Sequence, residues 1–264
     1  MSHYTVAVIS RTGTEDEVEE LLAPFDENME VEKYVARTRE EIIKEGKENK
    51  EGWIEKLSQE DITKEKLLEV LTSPAYDRAR RLLASETDQD FYEAEAWPDN
   101  VGPDGNEYST YNPDSKWDWW DIGGRWSGEL RDYDGGEHNV LRIANWDYNY
   151  IDPEEVTDRM RFWDITVEGA EPTEEEKEKY WSLYKPEYYI EKYGNKSNFV
   201  KSGLTFSTWA VLTPDGEWLE PGAMGWFGCS TADPKDEAKW ERDYTSLIDT
   251  FDKDYYVTLV DCHI

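Results

Sequence analysis

The chain has 264 residues, with 61 acids against 29 bases and a formal net charge of −32. It also carries 13 Trp and 17 Tyr but only 2 Cys. Disordered acidic chains are poor in aromatics, so a folded protein is expected. Two Cys cannot build a disulfide framework in a chain of this size. No apolar run approaches the ~20 residues of a membrane span, and the N-terminus lacks a secretion pattern. The expectation is a soluble, cytoplasmic protein with no membrane partner.

Charge is unevenly spread. Residues 37–86 hold twelve acids and eleven bases, whereas residues 91–150 hold thirteen acids and four bases. Such a surface repels phosphate backbones, which argues against direct nucleic-acid binding. It attracts basic protein surfaces, so a protein with a basic face is one expected partner.

Residues 4–10 (YTVAVIS) are apolar and β-branched and read as a buried strand. Val18, Leu21 and Leu22 predict a one-face helix ending near Pro24. Residues 29–36 alternate and predict a second strand. Thr38 and Glu41 form a capping box ahead of Ile42, Ile43, Trp53, Ile54 and Leu57, although Gly46 and Gly52 weaken that helix. Further helices are predicted over about 63–71 and from Pro74 through Leu83, which together make a helical insertion at about 37–90.

Over residues 91–150 helical periodicity is absent. Asp134-Gly135-Gly136 is a turn signal, with 126–132 and 140–146 as its antiparallel flanks. Asp152-Pro153 and Glu171-Pro172-Thr173 open helices in a second, mostly helical insertion at about 151–203. Residues 205–212 (TFSTWAVL) read as a strand, followed by a turn at Pro214-Asp215-Gly216 and a return over 217–219. Asp233-Pro234 starts a helix with Trp240, Tyr244, Leu247 and Ile248 on one stripe, and residues 255–260 (YYVTLV) form the last strand. These elements predict a single α+β domain over 1–264. Its mixed or antiparallel sheet comes from the terminal strands and the Trp-rich middle, with helices on one face. The order is compatible with an elaborated ferredoxin-like core.

The densest motif is YNPDSKWDWWDIGGRW, residues 111–126, with four Trp in ten residues. Each indole N–H needs an acceptor if buried, and Asp118 and Asp121 are the local ones. Gly123-Gly124 lets the backbone approach another group closely. Arg125 is either a clamp on a carboxylate or indole, or the grip on a ligand's phosphate or carboxylate. In the ligand reading, Trp117, Trp119, Trp120 and Trp126 supply stacking faces for a nucleotide-like molecule. Trp226, in the glycine-spaced loop GAMGWFG, is a further candidate, although that loop matches neither phosphate-binding glycine motif.

The C-terminal Asp261-Cys262-His263 follows a strand, and period two puts Asp261 and His263 on one side of it. Both are metal-ligand types, with Cys229, His138 or His3 available as a third donor, yet no recognised metal spacing occurs. No cofactor is predicted, a divalent metal being the weak alternative. Cys262 beside His263 is not a thiol-protease arrangement, since strand neighbours point to opposite faces.

The string YNPDSKWDWWDIGGRWSG, taken with TPDGEW, GAMGWFG and the terminal VTLVDCHI, resembles a family of uncharacterised phage, prophage and bacterial proteins. The resemblance covers the first strand and roughly residues 108–130 and 205–264. It implies a viral accessory setting and carries no activity or catalytic residues. The expectation is therefore a phage-type accessory protein that acts by binding, as a host-defence inhibitor. It would engage a basic host protein or sequester a nucleotide-like ligand. The alternative is a metal-assisted hydrolase or nucleotide-modifying enzyme using Asp118, Asp121, Asp261 and His263.

Overall fold

The computed structural model describes residues 2–59, 62–202, 204, 206–225 and 229–264. The chain divides into two compact units, residues 1–29 with 112–264 and residues 30–111. In chain order the elements are β1 (His3–Ser10), α1 (Glu15–Leu22), β2 (Tyr34–Arg37), α2 (Arg39–Leu57), α3 (Lys64–Thr72), α4 (Asp77–Ala84) and α5 (Asp88–Glu95). There follow β3 (Glu107–Ser109), β4 (Trp119–Ile122), β5 (Leu130–Arg131), β6 (Glu137–His138), β7 (Val140–Arg142), α6 (Pro153–Thr166) and α7 (Glu174–Lys179). The last are α8 (Pro186–Tyr193), α9 (Lys196–Ser202), β8 (Ala210–Leu212), β9 (Trp218–Leu219), α10 (Pro234–Ile248) and β10 (Tyr256–His263). No helix among the described residues is long and apolar enough to cross a membrane.

The larger unit is an α+β fold on a mixed sheet in the order β4-β10-β1-β8-β9, with β7 also on β10. β1 and β10 pair antiparallel along their whole length, from His3 opposite His263 to Ser10 opposite Tyr256. The two ends of the chain therefore form the sheet's centre. β8 lies parallel to β1, and β4 and β7 share the far edge of β10.

Residues 6–9 and 257–260 are fully buried. A strand apolar on both sides of its pleat needs cover on both faces. Val18 and Leu22 of α1 pack with Tyr4, Val6, Val8 and Val260 on one face. Tyr244 and Ile248 of α10 pack with Ala7, Ile9, Val257 and Leu259 on the other. This corrects the expectation of helices on one face. The connection also differs from a ferredoxin-like core: β8 is directly beside β1 and parallel to it, so the βαβ unit is not split by an intervening strand. The flanks expected around Asp134 meet in an antiparallel bridge of Asp132 with Trp146 rather than along their length. The short β5 and β6 pair with each other, while β7 joins β10.

In the unit of residues 30–111, β2 pairs with β3, and α2, α4 and α5 bring together Ile43, Leu82, Phe91 and Ala94. The capping box of Thr38 and Glu41 starts α2, which runs through Gly46 and Gly52 without breaking. Gly46 is buried, and a Cβ there would lie 3.2 Å from the Phe91 carbonyl. Its missing side chain is what lets α5 approach. A buried charge network ties this unit together, with Arg37 bonded to Glu107 and Glu45 and with Arg78 on Glu95.

Candidate functional site

The full-length pairing of β1 with β10 has a chemical consequence at the sheet's end. His3 opens β1 and His263 closes β10, so the antiparallel register places them opposite each other. Their rings sit 4.9 Å apart at 67°, edge to face. Each imidazole is also held by its own carboxylate. His3 Nδ1 is 2.8 Å from Asp261 Oδ1, and His263 Nδ1 is 2.5 Å from Asp118 Oδ1. A carboxylate only accepts, so Nδ1–H is the donor in both pairs. That leaves each Nε2, on the opposite edge of the ring, as the free basic nitrogen. Neither Nε2 has a hydrogen-bond partner among the described residues.

The two pairs differ in exposure. The Asp261 side chain is 2% exposed, while that of Asp118 is 39% exposed. Asp261 is further fixed by the Arg125 backbone N–H, which donates to its Oδ2 at 3.1 Å. Gly124 makes that contact feasible: its φ is +47°, and a Cβ there would lie 2.4 Å from Asp261 Cβ. The paired glycines therefore serve the close approach that their spacing suggested. Asp118 is anchored through its backbone N–H, which donates to the His263 carbonyl at 2.9 Å.

The Trp-rich motif does not converge on one pocket. Trp117 is buried beneath α1 and donates Nε1–H to the Leu22 carbonyl, not to Asp118 or Asp121. Trp120 packs on the same face as Tyr4 and Cys262. Trp119 pairs with His263 in the register, is 51% exposed, and meets His3 edge-on with centroids 6.2 Å apart. Asp121 is exposed and lies opposite Asp261 in the register. Trp126 lines a cleft farther along the same sheet face. Trp226 lies outside the described residues. Arg125 is exposed, and its guanidinium has no ion-pair or hydrogen-bond partner among the described residues. Among the described residues it is thus neither clamped to a carboxylate nor stacked on an indole.

Asp261 and His263 do share a side of β10, and His3 is the third residue brought to them. His138 instead bonds Asp132 in the β5–β6 hairpin, holding that carboxyl below its ordinary range. Cys229 is exposed elsewhere. Among the described residues no group of three or more His, Cys, Asp or Glu side chains is arranged to hold a metal ion. Burial pushes the Cys262 thiol up, and its side chain packs on the face away from His263. His3 entered the sequence reading only as a spare ligand. The signal available was position, since a His at the outer end of each terminal strand meets its counterpart when those strands pair antiparallel.

No family model matches the chain, and neither a curated protein nor a solved structure is similar enough to count as a match.

Proposed function

We propose that the protein cleaves or transfers a phosphoester of a small, nucleotide-like substrate, with His3 and His263 as its acid–base pair. The observation that carries this reading is the doubled His–Asp arrangement, two imidazoles in ring contact with both Nε2 atoms free. A carboxylate on Nδ1 holds the ring's tautomer and stabilises the imidazolium that forms when Nε2 takes a proton. One neutral Nε2 takes the proton of the attacking hydroxyl or water as the new P–O bond forms. The other imidazole, protonated, gives its proton to the departing oxygen as the old P–O bond breaks. A positioned general acid or base contributes about 10²–10⁴-fold each.

Arg125 supports an anionic substrate, because a guanidinium unpaired among the described residues is unusual in a chain with 61 acids and 29 bases. Exposed Trp119 beside the two rings offers a stacking face for a base. The net charge of −32 disfavours polymers, whose phosphates would meet repulsion well beyond the site. A binding-only reading, in which a phage-type accessory protein sequesters the same ligand, uses Arg125 and Trp119 without the proton transfers.

The test is a panel of bis(4-nitrophenyl) phosphate, nucleoside 2′,3′-cyclic phosphates and dinucleotides, with Trp fluorescence recorded alongside turnover. Turnover of a small phosphodiester, lost in Arg125→Ala while the fold survives, is expected. Nucleotide binding without turnover would establish sequestration instead. No response of either kind would overturn the assignment of this site.

A further inference from the structure

A second feature of the larger unit lies outside the histidine pair. An open cleft of about 650 Å³ runs along the face of the sheet that also bears Ala7 and Leu259. That volume falls in the range of small-molecule sites. None of His3, His263, Asp118 and Arg125 lines it.

The chemistry of its walls is one-sided. Carboxylates of Glu129, Asp147, Glu155 and Glu241 face it, and no lysine does so among the described residues. Its two arginines each have partners within the chain, although Arg159 Nε is buried without one among the described residues. Arg131 lies 3.6 Å from Glu137 and 5.1 Å over the Tyr150 ring. Arg159 donates to the Phe199 carbonyl and stacks 4.5 Å over that ring. Glu129 has no ion-pair partner among the described residues; its side chain is surface-accessible, and partial desolvation at the cleft wall raises its carboxyl above the ordinary range. Burial raises Glu241 too, against the opposing pull of Lys192 and Arg159. The aromatic walls differ in the same sense. Tyr150 and Tyr193 carry Arg131 and Lys192 over their rings, whereas Trp126 and Phe206 carry no cation among the described residues.

Carboxylates outnumbering the arginines, and aromatic rings carrying no cation of the chain's own among the described residues, around one organic-sized space select positive charge. An anion would face repulsion there, and a bare metal ion would leave the aromatic walls unused. We infer that the cleft binds a small organic cation, an amine or quaternary ammonium. It is held over Trp126 and Phe206 by cation–π contact and by the carboxylates of Glu129 and Glu241. This inference does not rest on the acid–base reading of the histidine pair.

The experiment titrates the full chain with tetramethylammonium and with putrescine at constant ionic strength, read by Trp fluorescence and calorimetry. Methyl glucoside and AMP are run as neutral and anionic comparisons. Saturable binding of at least one cation is expected, weakened at least tenfold by Glu129→Gln combined with Glu241→Gln and unaffected by His3→Asn. The Gln variants conserve shape, and an unchanged melting curve confirms the fold. Absence of saturable binding by both cations would overturn the inference. So would preferred binding of the glucoside or AMP, or equal cation affinity in the Gln variants.

Discussion

Gly124→Ala probes the contact on which the His3–Asp261 pair depends. At φ +47° an L-residue is strained, at roughly 1–2 kcal/mol. The new Cβ would also stand 2.4 Å from Asp261 Cβ and 2.5 Å from its Oδ2, so the loop must withdraw. Withdrawal breaks the Arg125 N–H bond to a carboxylate whose side chain is only 2% exposed. A hydrogen bond to a charged group contributes about 1.5–3 kcal/mol, which brings the expected total to about 2.5–5 kcal/mol. Gly135→Ala is the matched control: its φ is +82°, and nothing lies within 4 Å of the added Cβ. It should lose only the conformational part, about 1–2 kcal/mol. Urea unfolding of both variants measures the difference. At about 2–4 °C per kcal/mol for a domain of this size, melting should show it as well. Equal losses in the two variants would refute the close-approach argument.

Three further outcomes are expected. Arg37→Met leaves the Glu107 side chain, 6% exposed, without its cation, and should destabilise residues 30–111 by about 3–5 kcal/mol. Hydrogen exchange in that unit reports it, and a loss under about 1 kcal/mol would contradict the network's role. Trp117→Phe removes the bond to the Leu22 carbonyl at a cost of about 1 kcal/mol. Trp119→Phe should leave the urea midpoint unchanged and weaken nucleotide binding; the reverse pattern would exchange their roles. The Arg161 guanidinium, with the Thr173 cap, pulls Glu176 from 4.5 down to about 2. A lowered carboxyl stabilises the fold above its unfolded range and loses that contribution as pH falls from about 4.5 towards 2. Protection of the α7 amides, taken relative to their intrinsic exchange rates at each pH, should therefore fall over that window, and Glu176→Gln should abolish the dependence.

The strands at the two ends were legible because runs such as YTVAVIS and YYVTLV are apolar on both sides of the pleat. That same continuity signals helices on both faces, which the one-face expectation overlooked. α2 was legible from its capping box. α5 was not, since Asp90 rather than Glu or Gln closes its box with Thr87, and it was absorbed into a segment read as non-helical. Register was the harder matter. Which flank pairs with which depends on long-range contacts, so β7 left the hairpin assigned to it and joined β10.

The candidate site was half legible. Asp118, Arg125, Asp261 and His263 were picked out by residue type, and the glycine pair by its conformational freedom. The Trp residues misled because composition carries no facing information: alternation along β4 sends Trp119 and Trp120 to opposite sides of the sheet. His3 became visible only once β1 and β10 were paired, 260 positions apart in sequence.

The account turns on whether the two imidazoles act together, and kinetics of His3→Asn, His263→Asn and the double variant on one turned-over phosphodiester ask that most directly. Each single substitution should lower kcat by at least about 10², and the double variant should be little slower than either. The wild-type rate should follow a bell-shaped pH profile that loses one limb in each single variant. Turnover that survives in either single variant with an unchanged profile would contradict the acid–base pair.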